Sequence, residues 1–277
     1  MMRGMFAAIS GLKTHQVMLD VTANDIANVN TIGYKSARVT FKDSLTQLQR
    51  GASGAGGGTG GANAAQVGLG TQLGSIDNLM SGGAMQSTGN ALDVAITGSG
   101  MFRVAPSTAV PPVANPAAAE YTRAGNFTTN STGFLVTQDG YYVQGRTAAG
   151  ADTLLQIPTG STNMAIAQNG DVTYVDGTGT RVSAGMISLA TFSNSAGLER
   201  SGANRWLQSA NSGTPTVGTP GAAMGFTTAG ATEMSNVDLA QAFTSMITAQ
   251  RGFQANSRVI STADEMLQDL VNLKRSA

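Results

Sequence analysis

Apolar residues return every seven positions at both ends of this chain, and no other feature restricts its fold as strongly. Near the start the series is Met5, Leu12, Leu19 and Ile26, with Ala8, His15, Thr22 and Val29 at the intermediate step. Near the end it is Leu239, Met246, Phe253, Ile260 and Leu267, with Ala242, Ala249, Asn256, Ala263 and Leu270 three residues further on. A seven-residue repeat lays a stripe along a helix, and such a stripe needs a second helical surface to cover it. The first run closes at Asn30-Thr31 and Gly33 after about 25 residues. The second opens after the capping-type pair Ser235-Asn236, closes near Leu273 and makes a helix of roughly 35 residues, about 50 Å long. Two stripes at opposite termini favour pairing with each other or with neighbouring copies. Alanines in the second seam permit close approach, while Asn256 costs stability there and can set register.

The middle of the chain follows a different rhythm. After Phe41-Lys42-Asp43 a short helical-looking stretch runs to Arg50. It is followed by GASGAGGGTGG (51–61), in which seven residues are Gly. That composition holds no fold alone and suits either a plain linker or a mobile loop ordered by a neighbour. From Val67 onward short strand-like runs alternate with turn dipeptides. FLVTQ-DG-YYVQG (134–145) and AIAQ-NG-DVTYV (165–175) predict hairpins closed by two-residue type I′ turns, because Asp-Gly and Asn-Gly tolerate positive φ. Strands are also expected over 91–96, 101–104 and 186–192. The Gly-, Ser-, Thr- and Pro-rich segment 201–232 reads as an extended return path to the last helix.

These patterns predict an α+β chain: paired N- and C-terminal long helices, coiled-coil-like, with an inserted all-β domain. The terminal helical assembly domain takes residues 1–35 and 235–277, a Gly-rich linking segment takes 36–66, and a β-rich outer domain takes 67–234.

Composition removes several functions. Charged residues make up 12% of the 277, against about 25% ordinarily. Lys and Arg number 16 and Asp and Glu 16, so neither nucleic acid nor an anionic membrane surface is an expected partner. No apolar run is long enough to span a bilayer. Lys13 interrupts the apolar patch of MMRGMFAAISGLK, so no cleaved signal peptide is expected. Without Cys there is no disulfide or thiolate metal site. The single His, His15, lies in the first helical pattern and reads as a solvated or packing residue rather than a catalytic one. No HExxH, GxSxG or GxxxxGK[ST] occurs, and no cofactor or metal site is expected.

Four ordered blocks resemble the bacterial flagellar rod and hook proteins. ANDIANVNTIGYK (23–35) is similar to the family's N-terminal signature. SNVDLAQAFTSMITAQRGFQANSRVISTADEMLQDLVNLKR (235–275) is similar to its C-terminal one. LDVAITGSGMFRV (92–104) and YTRAGNFTTNSTGFLVTQDGYYVQG (121–145) resemble its β-domain blocks. Asp25 stands where the family usually has Asn, and Ala242 where it usually has Glu; neither breaks the heptads.

RVTFKD (38–43), the Gly-rich segment and the opening SGLKTHQVMLDVTANDIANVNTIGYK resemble short hook proteins more than distal rod proteins. The resemblance therefore implies a subunit of the extracellular hook, the curved joint that carries motor torque to the filament. The alternative is the distal rod, a straight drive shaft. It further implies a homopolymer that meets other axial proteins (distal rod, hook cap, hook–filament junction) and passes through the flagellar export apparatus without cleavage. On either reading the seam built on Met5, Leu12, Leu19, Ile26, Leu239, Met246, Phe253, Ile260 and Leu267 is the expected assembly surface, each side chain contributing about 1.5–3 kcal/mol if fully buried. Asn24, Asn28 and Asn30, with Gly33, suit a helix ending whose side chains bond nearby backbone, either as local caps or between subunits.

Two readings from other classes find less in the sequence. A cell-wall hydrolase needs a carboxylate pair, and no motif selects two among Asp77, Asp93, Glu120, Asp139, Asp152, Asp171 and Asp176. An adhesin needs an exposed aromatic cluster, and Tyr141-Tyr142 is the only adjacent aromatic pair.

Overall fold

A computed structural model describes residues 2–54, 60–107, 112–147 and 149–275. The chain divides into two compact units, one of residues 1–27, 37–77 and 238–277, the other of 28–36 and 78–237.

The first unit is built on two long helices, α1 (Met2–Ala27) and α2 (Leu239–Arg275), packed against each other. Asp238 caps α2: its carboxylate accepts from the Ala240 and Gln241 N–H groups at 2.9 and 3.2 Å, satisfying donors that the first turn leaves open. Four strands join the helices, β1 (Ala37–Asp43), β2 (Thr46–Arg50), β3 (Ala65–Gly68) and β4 (Thr71–Asn78), with β1 pairing β4 and β2 pairing β3. The expected linker at 36–66 is thus largely paired structure that clusters with the helices. The helical-looking stretch before Arg50 is strand β2, because antiparallel pairing with β3 overrides a weak local preference. Ser53 and Ala62 continue that ladder. The mobile-loop reading of the Gly-rich run falls on residues 55–59, outside the described residues.

Among the described residues, the regular structure of the second unit is β apart from two short 3-10 turns. It opens with β5 (Met85–Ser87), β6 (Val94–Thr97), β7 (Met101–Ala105) and β8 (Glu120–Thr122). Its main sheet runs, edge to edge, through strands 162–166, 171–175, 181–187, 142–146, β7, β8, 205–207 and 199–202. Phe102, Val104, Phe127, Leu135, Val143, Leu155, Ile187 and Leu189 form its core, and Met101, Tyr121, Ala190, Leu198 and Trp206 form a second cluster. The segment read as a return path is integral to this unit: it supplies strands 205–207, 216–218, 226–229 and 231–233, and Trp206 is buried.

Both predicted hairpins form, with a different turn. The Gly140 N–H bonds Thr137 O at 2.9 Å and the Gly170 N–H bonds Ala167 O at 2.8 Å, with φ of +81° and +79° at the two glycines. Asp139 and Asn169 keep negative φ, so neither turn is type I′. Each glycine follows a tight turn and takes the left-handed position of a bulge, as in three-residue hairpin loops.

Candidate functional site

Residues 28–36, which follow α1, fold as part of the β unit. The Thr31 N–H bonds Asn28 O at 3.1 Å, and the Thr31 hydroxyl bonds the Asn28 side chain at 3.0 Å. Gly33 sits at φ +69°, its N–H donates to Glu233 O at 2.8 Å, and a Cβ there would fall 2.5 Å from Ala124 N. Both the backbone conformation and the close approach require glycine.

Two residues later Lys35 is buried. Its ammonium donates to Glu233 Oε1 at 2.6 Å and to Ser81 O at 2.7 Å. The other oxygen of Glu233 accepts from Arg123 at 3.0 Å, the Gly83 N–H adds a bond of 2.9 Å to Oε1, and Arg123 also reaches Gly98 O at 2.6 Å. Burial alone would raise the Glu233 carboxyl; the Arg123 guanidinium, the Lys35 ammonium and the Gly83 N–H outweigh it and hold the group below the usual carboxylate range. Burial lowers the Lys35 ammonium against the opposing pull of Glu233.

Two further side chains close this assembly. Arg200 lies 5.1 Å from the ring centroids of both Tyr34 and Trp206, while donating to Lys35 O at 2.6 Å and to Asn78 Oδ1 at 3.1 Å. Asn236 accepts from the Ser36 N–H at 2.8 Å and donates to Leu79 O, Ser81 O and Ser81 Oγ. Three distant stretches, 28–36, 78–83 and 233–236, are thereby bonded to one another inside the β unit.

In the helical unit the closest faces of α1 and α2 are not the large-residue stripe but the residues beside it. Ala8, Gly11, Thr14, Thr22 and Asp25 are buried in α1, and Ala249 and Ala263 in α2. Met5, Leu12, Leu19, Ile26, Met246, Ile260 and Leu267 are half-buried, while Leu239 and Phe253 are exposed. Phe6, Phe243, Ile247, Val259 and Met266 are exposed as well. Small side chains occupy the line of contact because they let helix axes approach; the large ones flank it. Asp25 accepts from the Ala37 N–H with both oxygens at 3.2 Å, Asn24 is exposed at the end of α1, and Asn30 is exposed in the following turn.

The network was missed in the sequence, although one signal was there. Glu233 is the only acid between Glu199 and Asp238, and a lone carboxylate, once buried, needs a cation. The scattered acids are largely paired with arginines: Asp77 with Arg38, Glu120 and Asp139 with Arg205, and Asp152 with Arg103 and Arg146. Among the described residues no group of His, Asp or Glu is arranged to hold a metal, and no helix is long and apolar enough to cross a membrane.

Two packed terminal helices with large apolar residues flanking their seam, and an inserted β domain closed by ion pairs, define a structural subunit. Residues 5–35 match the flagella basal body rod protein family, 95–174 the flagellar hook protein FlgE/F/G D1 domain, and 228–273 the flagellar basal body rod FlgEFG protein C-terminal family. The flagellar basal-body rod protein FlgG of Bacillus subtilis is 47% identical over 277 residues, covering 99% of this chain and 100% of that protein. The FlgG of Caulobacter vibrioides is 38% identical over 278, with the same coverage of 99% and 100%. The flagellar hook protein FlgE of Borreliella burgdorferi is 27% identical over 450 aligned residues, covering 99% of this chain and 100% of that protein. The chain belongs to the flagellar basal-body rod and hook family, whose members are structural axial proteins rather than enzymes.

Proposed function

We propose that this chain is a distal rod subunit of the bacterial flagellar basal body, polymerising with copies of itself and with the adjoining axial proteins into a torque-bearing shaft. One observation carries the choice within the family: end-to-end similarity to rod proteins FlgG at 47% and 38% identity, against 27% for a hook protein FlgE of greater aligned length. This replaces the hook expected from the wording of residues 10–50, which weighs less than similarity along the whole chain. The subunit reaches its site through the flagellar export apparatus without cleavage.

The nine seam residues from Met5 to Leu267, with their exposed neighbours on both helices, form the surface that neighbouring subunits cover. At about 1.5–3 kcal/mol for each large side chain fully buried, this surface carries association past its ordering cost. Immunogold microscopy of isolated hook–basal bodies, with antibody against residues 78–237, tests the assignment. Label on the straight shaft is the expected result; label along the curved external segment overturns it in favour of the hook.

A further inference from the structure

Two contacts between α1 and α2 mirror each other. Gly11 lies against Asn256: a Cβ on Gly11 would fall 2.7 Å from the Asn256 amide nitrogen and 3.0 Å from its Cγ. Gly252 lies against His15: a Cβ there would fall 2.5 Å from both Cε1 and Nε2 of the ring. In each helix the polar residue stands four positions after the glycine, so one step of four up α1 is one step of four down α2. That is an antiparallel pair in a single register, with a polar knob and a glycine hole on each side.

We propose that these reciprocal pairs form a register lock, which makes His15 and Asn256 the residues that determine how the two terminal helices align. Neither knob is the choice that stability alone would make. The His15 Nδ1 is buried without a hydrogen-bond partner among the described residues, its ring meeting Phe41 edge-on at 5.8 Å. Asn256 donates to Gly252 O at 3.0 Å, which fixes its amide over Gly11. Polar residues in a helical seam cost stability and select alignment. Two pairs are needed where one would not suffice. A slip of one heptad in one direction brings Asn256 over another glycine, Gly4, so the first pair tolerates it. The same slip sets His15 against Ser245, where there is no hole. The opposite slip sets Asn256 against Met18 and His15 against Val259. This inference concerns the helix pair and holds whether the subunit builds rod or hook.

The absence of Cys from the natural chain allows a direct test in the full-length protein. In the proposed register Met18 lies opposite Ala249, and in the slipped one opposite Ala242. A disulfide requires Cα atoms within about 7 Å, so Met18→Cys/Ala249→Cys reports the first register and Met18→Cys/Ala242→Cys the second. The expected result is an intramolecular cross-link in the first pair and none in the second. Gly252→Ala lowers the first yield at least tenfold; adding His15→Ala restores it, and adding Asn256→Ala does not. Because rescue is scored against Gly252→Ala itself, a variant that fails to fold still discriminates. His15→Ala alone makes the slipped cross-link detectable. An unchanged yield in Gly252→Ala, equal rescue by both second substitutions or by neither, a slipped pair still silent in His15→Ala, or a reporter pair that cross-links only in the slipped register would each overturn the lock.

Discussion

Lys35 and Glu233, separated by 198 residues of chain, meet at 2.6 Å with both side chains buried. The first is the last residue of the family's N-terminal signature and the second lies just before the C-terminal helix, so one ion pair ties the beginning of the β unit to its end. Arg123 supplies the second cation. Taking three charges out of water is costly, and the pairing compensates only while all three are present.

Replacing Glu233 with Gln leaves Lys35 and Arg123 buried without a counter-charge. A loss of about 3–5 kcal/mol is expected, measured as the shift in chemical unfolding of the β unit followed by Trp206 fluorescence. A loss below about 1 kcal/mol would show that the charges are solvated in solution.

The same carboxylate gives the unfolding curve an acid limb. Its folded-state value is depressed, so its contribution is fully present above the unfolded Glu value of about 4.3 and disappears as pH falls through the folded one. Stability measured from pH 7 to pH 2 should fall over that lower range, and Glu233→Gln should flatten the fall. An equally steep limb in the variant would assign it to other acids.

Gly33→Ala adds a methyl where φ is +69° and Ala124 N is 2.5 Å from the new carbon. The left-handed conformation alone costs about 1–2 kcal/mol, and the backbone clash adds to it. Thermal unfolding is expected to begin several degrees lower; an unchanged midpoint would mean that residues 123–124 move aside freely.

Arg200→Lys keeps the charge and loses the planar group lying between Tyr34 and Trp206. The cation–π contacts are worth about 0.5–2 kcal/mol, and Trp206 is the only Trp in the chain. The variant should change the tryptophan emission as well as the stability, and stability alone moving would place Arg200 elsewhere.

Phe243 and Ile247 are 50% and 51% exposed on α2. Changing both to Ser should leave monomer stability within about 0.5 kcal/mol per site while abolishing polymerisation, scored by sedimentation of assembled protein and by swimming. Intact assembly in this variant would remove that face from the subunit interface.

The heptads at 5–26 and 239–267 were enough to predict two long helices, because a 3.6-residue period writes itself into local spacing. The hairpins around 139–140 and 169–170 were equally legible, since glycine at a tight turn is a local requirement. Their turn type was not: Asp-Gly and Asn-Gly serve both a type I′ turn and a glycine bulge, and the strand register chooses between them.

What the sequence by itself determined is therefore the two terminal helices, the two hairpins and their order along the chain, consequences of short-range periodicity and turn chemistry; β2, the strands between 205 and 233 and the pairing of the two helices with each other depended on partners distant in the chain. Tertiary structure decided which face of each helix touches the other, because Gly11, Asn256, Gly252 and His15 complement one another only in one antiparallel alignment. It also decided that Lys35, Arg123 and Glu233 form one site. Ion pairing depends on distance in space, and nothing local in the chain records that residues 35, 123 and 233 will be neighbours.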